Sequence, residues 1–187
     1  MPERYSDMDP GADEQLSLGL FSPSPGHDNR VVPFATAFLA LTEVKGLGMK
    51  ALRSLVLRYG DELGRVFSAA DEETAEAVGG ARAGSDSYIL AKAISGDVDR
   101  LLEAGESTRN ALNAESITLL APSQLPRKIL EIQDGPKWLF VQGDPSLIQH
   151  APHVAVVGTR GATSQGLAAT MATIRTLAAY PVTVVSG

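Results

Sequence analysis

Arg160 stands in the stretch Val157-Gly158-Thr159-Arg160-Gly161-Ala162-Thr163-Ser164-Gln165-Gly166. An arginine between glycines is equipped to hold an anion. Its guanidinium is always charged and presents a planar fork that meets phosphate oxygens two at a time. Glycine lets backbone N–H groups come close to a ligand, and the start of a helix adds further donors. The flanking residues predict such a setting. Val154 to Val157 form a short, uniformly apolar run of the kind buried on both faces of a parallel sheet. Leu167, Met171, Ile174 and Leu177-Ala178 then recur at helical spacing over about Ser164 to Ala179. After Pro181, Val182 to Val185 repeat the strand signal and run into Ser186-Gly187. The whole reads as β-α-β, with the glycine loop at the carboxyl end of the first strand, where open α/β sheets bind ligands. The glycine spacing is not G-x-G-x-x-G and no Walker lysine follows, so neither the dinucleotide nor the P-loop fingerprint applies. The same glycines would also serve a β-α-β unit that merely needs tight packing.

Other reactive groups are sparse. Ser164 and Ser186 have no histidine nearby in the motif, and His153 precedes a strand, so all three read as cap or surface residues. Asp71-Glu72-Glu73 reads as a helix start, where acids favour the positive end of the dipole. Acid–base chemistry or magnesium binding would want apolar or basic neighbours that the stretch lacks. With no cysteine and with His27, His150 and His153 unclustered, disulfide frameworks, thiolate sites and structural zinc are excluded. The chain is expected to bind rather than catalyse, with no cofactor and no metal. No apolar run reaches the roughly 18 residues of a membrane helix, and no signal peptide opens the chain. The expectation is a cytoplasmic protein with no membrane contact.

At 187 residues, 44% of them hydrophobic, the chain suits one large domain or two small ones. Its net charge of −6 argues against a surface that grips nucleic acid all over. The charge is uneven, however. From Ala121 onward five cations (Arg127, Lys128, Lys137, Arg160, Arg175) face three anions (Glu131, Asp134, Asp144), a surplus of two. The preceding 120 residues therefore carry −8, and any anion site belongs in the C-terminal part.

Residues 1–32 hold Pro2, Pro10, Pro23 and Pro25 among Asp, Ser and Gly, with no periodic apolar pattern, and are expected to form a disordered tail. Residues 33–115 read as a small helical domain. Pro33 suits a first helical turn, and Phe34, Phe38, Leu39 and Leu41 begin an apolar face. Gly46-Leu47-Gly48 then separates this helix from a second through Leu55, Val56 and Tyr59. This resembles a helix-hairpin-helix, whose turn N–H groups hold a DNA phosphate, with Lys45 and Lys50 placed to assist. A glycine turn also simply lets two helices pack. Further apolar faces fall at Leu63, Val66 and Phe67, at Ile89, Leu90 and Ile94, and at Val98, Leu101 and Leu102. Gly79, Gly80, Gly84, Gly96 and Gly105 are expected to break this run into short helices. From 116 the pattern changes: Ile117 to Leu120 and Trp138 to Val141 read as strands, with a helix through Leu125, Ile129 and Ile132 between them.

Residues 117–187 resemble the DNA-processing protein A family (DprA/Smf). The matching positions are Pro126, Ile129, Ile132, Asp134, Pro136, Leu139, Phe140, Gly143, Asp144, Gly158, Thr159, Arg160, Thr163 and Gly166, with Val184 to Gly187 as the family's next strand and Ser-Gly. The departures are Leu125 and Gln165 where the family often has tyrosine, and Gly161 where it often has a basic residue. The resemblance implies an α/β protein: a small N-terminal helical domain (helix-hairpin-helix or SAM-like), then the first part of a Rossmann-like parallel sheet over 116–187. It implies single-stranded DNA binding, with RecA loading during DNA processing and natural transformation. Arg160 would lie on the rim of the DNA pocket, with Gly158, Thr159, Gly161, Thr163 and Gly166 shaping the loop. The family continues past the Ser-Gly, so the chain is expected to be truncated, and completed by a missing C-terminal half or a homodimer partner. Two other readings stay open: a Rossmann-like protein that holds a small nucleotide, and a fragment acting only through protein contacts.

Overall fold

The computed structural model describes residues 31–80, 82–150 and 152–186. The expected tail at 1–32 lies outside them except for Val31 and Val32. The architecture is mixed helix and small sheets, in keeping with the α/β expectation. Among the described residues no helix is long and apolar enough to cross a membrane.

Helix α1 (Phe34–Thr42) starts directly after Pro33, whose carbonyl accepts from the Ala37 N–H at 3.0 Å. Phe34, Ala37, Phe38 and Leu41 are all buried. A turn with Gly46 at φ 90° leads to α2 (Met49–Tyr59), capped by Gly48. A left-handed residue there favours glycine. Leu52, Leu55 and Val56 bury the inner face of α2. A 3-10 stretch, Gly60–Phe67, adds Leu63 and Val66 to the core. Then come α3 (Asp71–Val78), whose first turn holds the three acids read as a helix start, and α4 (Asp86–Ser95), capped by the Ser85 side chain.

α5 (Val98–Ala114) corrects one expectation: Gly105 does not break it. The residue sits where α5 crosses α1. A Cβ there would lie 2.7 Å from the Ala40 nitrogen and well inside contact distance of the Thr36 carbonyl. The glycine is a spacing device between two helices. Gly79 and Gly96 do end helices, as expected. Ile89, on one of the expected apolar faces, is 59% exposed.

Ser116, in a left-handed turn at φ 58°, leads into β1 (Ile117–Leu120). A 3-10 turn (Pro122–Gln124), one helical turn α6 (Arg127–Leu130) and β2 (Leu139–Gln142) follow. β1 and β2 pair antiparallel, Leu119 opposite Phe140. The helical core extends onto this ribbon: Leu119 and Ala121 belong to it, and Phe38 lies 4.8 Å from the Trp138 ring and 6.1 Å from the Phe140 ring.

A 3-10 turn (Pro145–Ile148) then leads to β3 (His153–Val156), α7 (Ser164–Leu177) and β4 (Thr183–Ser186). β3 and β4 pair parallel, Val154 opposite Val184 and Ala155 opposite Val185, so the β-α-β reading holds. The expected burial of its strands does not. Ala155, Val184 and Val185 are exposed, and on α7 only Ile174 and Leu177 are half-buried, while Leu167 and Met171 are open. Two strands of four residues, each about 13 Å long, cannot cover both faces of one another or the length of a helix of about 21 Å.

Candidate nucleic-acid interface

Arg160 projects from the open loop between β3 and α7. Thr163 builds the loop's far end: it is the N-cap of α7, its carbonyl accepts from Leu167 N–H at 2.9 Å, and its hydroxyl accepts from Gly166 N–H at 3.1 Å. Thr159 steadies the near end, its hydroxyl accepting from Gly161 N–H at 3.3 Å. Ser164 and Gln165 open the helix, so their N–H groups have no acceptor within it. The first turn of α7 contains no acid to offset the positive end of its dipole. Arg160 itself is exposed and has no ion pair among the described residues.

The glycines of this loop are not there for crowding. A Cβ at Gly158 or Gly161 would meet nothing within 4 Å, and neither residue has a left-handed backbone. One at Gly166 would meet only the Thr163 hydroxyl, at an ordinary 3.4 Å. Gly143 differs. Its φ is 95°, and its N–H donates to Ser116 at 3.0 Å, closing the ribbon. Asp144 next to it caps the following 3-10 turn by accepting from Ser146 N–H at 2.9 Å. Hydrogen bonding from Ser146 holds the Asp144 carboxyl below its ordinary range. The two halves of the motif thus do different things. Leu139, Phe140, Gly143 and Asp144 build and turn the ribbon, whereas Gly158 to Gly166 form an open loop.

Lys45 and Lys50 sit elsewhere, on the α1–α2 turn and in the first turn of α2. Both are exposed, and no hydrogen bond or ion pair among the described residues joins either to the loop. The two predicted sets therefore stay on separate elements. Near the loop-bearing unit lies a feature the sequence reading did not assign, a mostly apolar cleft of about 650 Å³. Ile129 and Leu147 line it with His153 and Val185, and Arg127 and Lys128 stand at its edge. Their charges were visible in the C-terminal surplus; the cleft depends on how α6 meets the sheet.

Residues 116–187 match the family model described as DNA recombination-mediator protein A. The matched stretch contains the ribbon, the cleft and the Arg160 loop, and the match points to a role in DNA recombination. It coincides almost to the residue with the span of the sequence resemblance. No curated protein and no solved structure matches the chain.

Proposed function

We propose that this chain binds single-stranded DNA through the Gly158–Gly166 loop and serves DNA processing of the DprA type, handing the strand to a RecA recombinase. The observation that carries the reading is Arg160: exposed, without an ion pair among the described residues, on an uncrowded glycine loop inside the stretch that matches a DNA recombination family. Arg160 would clamp a backbone phosphate, with the N–H groups of Ser164 and Gln165 as further donors. Thr159 and Thr163 keep the loop in shape, and Gly158, Gly161 and Gly166 leave the backbone open to the strand. The reading takes residues 33–115 as a helix-hairpin-helix or SAM-like domain and 116–187 as the first part of a Rossmann-like sheet. It requires no catalytic residue and no cofactor.

The test is fluorescence anisotropy of labelled oligo-dT with the wild-type chain and Arg160→Ala, at low and moderate salt. The expected result is binding that weakens with salt and a lower salt slope in the variant, by about 0.7 for one lost phosphate contact. Equal binding by Arg160→Ala removes the loop from the interface. Displacement of the oligonucleotide by a mononucleotide would favour a small-nucleotide site instead.

A further inference from the structure

We infer that a second phosphate-contacting surface runs from the α1–α2 turn across α2 and onto the 127–137 segment, carried by Lys45, Lys50, Arg53, Lys128 and Lys137. It rests on the single-stranded DNA reading above and extends the path of the same strand beyond the loop.

The chain carries more acids than bases, 22 against 16, and most of its cations on the helical unit are neutralised locally. Arg58 pairs with Glu73, Arg65 with Glu62, Lys92 with Asp71, Arg100 with Asp97 and Arg109 with Glu106. The five residues of the surface have no carboxylate partner among the described residues. Two of them are instead held by carbonyl oxygens, which fix a cation without cancelling its charge. Arg53 Nη1 donates to Gly135 O at 3.0 Å, and Lys137 Nζ donates to Leu130 O at 2.6 Å.

The first of these bonds joins the two halves of the surface. Lys50 and Arg53 are three residues apart and share one side of α2. Lys45 lies in the turn just before that helix. Gly135, the acceptor, closes a turn tightly against α6: a Cβ there would fall 2.7 Å from Ile129 O and from the Ile132 side chain. The segment that bears Lys128 and Lys137 is therefore folded on itself and fastened to α2. Of the acids on the same stretches, Glu131 is occupied by Arg127 at 2.6 Å, which leaves Glu43 and Asp134 against five cations. A surplus of positive charge on adjoining segments, two of its cations held in place, suits a polymer with regularly spaced anions, and a nucleic-acid backbone is such a polymer. Lys128 also borders the cleft at the amino ends of β3 and β4, lined there by His153 and Thr183, so the surface reaches the unit whose opposite, carboxyl end carries Arg160.

The experiment compares wild type, Lys50→Gln/Lys128→Gln and Arg160→Ala on oligo-dT of about 30 and about 6 nucleotides, the shorter a length one small site accepts. Lys50 and Lys128 are exposed and make no side-chain hydrogen bond or ion pair among the described residues, so the double variant keeps the fold, checked by circular dichroism. The long strand is expected to bind the double variant with a salt slope lower by about 1.4 and, at 50 mM salt, on the order of 50-fold more weakly, from about 0.7 per lost contact. The short strand, held by the loop, is expected to bind it as it binds wild type. An unchanged slope with the long strand overturns the surface, and so does a failure of wild type to bind either length. Loss of polyglutamate binding with unchanged oligo-dT binding would overturn it in favour of an acidic protein partner. Arg160→Ala reads the loop separately: if it alone leaves both lengths bound normally, the loop reading fails on its own.

Discussion

Gly105→Ala sets two known effects against each other. Alanine in the middle of a helix is better than glycine by about 1 kcal/mol, so on an isolated α5 the change would stabilise. In this fold the new methyl would be driven into α1. Its nearest neighbours are the Thr36 carbonyl oxygen, the Ala40 nitrogen and the Ala40 side chain. Two of these are backbone atoms, and none can rotate aside. The helices would have to separate by roughly 0.5–1 Å along a contact that buries Phe34, Ala37, Leu41 and Leu101, a gap that forfeits a quarter to a half of each contact's attraction. Overpacking of this kind typically costs about 1–3 kcal/mol. The separation would also stretch the 2.9 Å bond from the Thr36 hydroxyl to Glu106. All three neighbours lie under 3.0 Å, which places the cost in the upper part of the overpacking range, about 2–3 kcal/mol, and leaves a net loss of about 1–2 kcal/mol after the gain in propensity. In urea, with a slope of about 2 kcal/mol per molar, the midpoint falls by roughly 0.5–1 M with the slope unchanged, read by the fluorescence of Trp138. A midpoint that stays or rises would refute the close crossing of α1 and α5, because propensity alone would then decide the sign.

Two further outcomes are expected. Thr163→Ala removes the N-cap of α7 and costs about 1 kcal/mol locally. Amide exchange at Gly166 should speed up about fivefold while the Trp138 transition stays put; no change in exchange would mean that the cap holds nothing. The Glu106 carboxyl is held below its ordinary value by the Thr36 hydroxyl and then by Arg109. Its contribution is therefore full above the unfolded carboxylate range and is lost as pH falls through the depressed folded value. Thr36→Val should move the Glu106 titration upward by NMR and flatten the acid limb of stability; an unmoved titration would remove Thr36 as the cause.

Local chemistry was legible from the residues alone. Pro33 before α1, the acids at the start of α3, the Gly46 turn and the β-α-β order of 153–186 all follow from short-range rules, and the structure has them. What failed depended on partners distant in sequence. Gly105 reads as a break because glycine weakens helices, and only the arrival of α1 shows why α5 tolerates it. Val154 to Val157 read as doubly buried because apolar runs usually are. With a single neighbouring strand and one helix among the described residues, they are not. The site divides in the same way. Arg160 and its glycines stand out by type and spacing, whereas the surface through Arg53 requires a bond between residues 82 positions apart. No window of sequence contains that bond.

Trp138 gives the molecule an uneven optical signature. It is the chain's single tryptophan, and it lies against Phe38 at the junction of ribbon and helices. The span 152–186 has only one aromatic side chain, Tyr180, and that ring is largely in solvent. Excited at the red edge, the protein therefore emits from its core alone. Melting of β3–α7–β4 alone would leave that emission unchanged. Tryptophan emission from position 138 therefore follows one part of the chain while leaving the other dark.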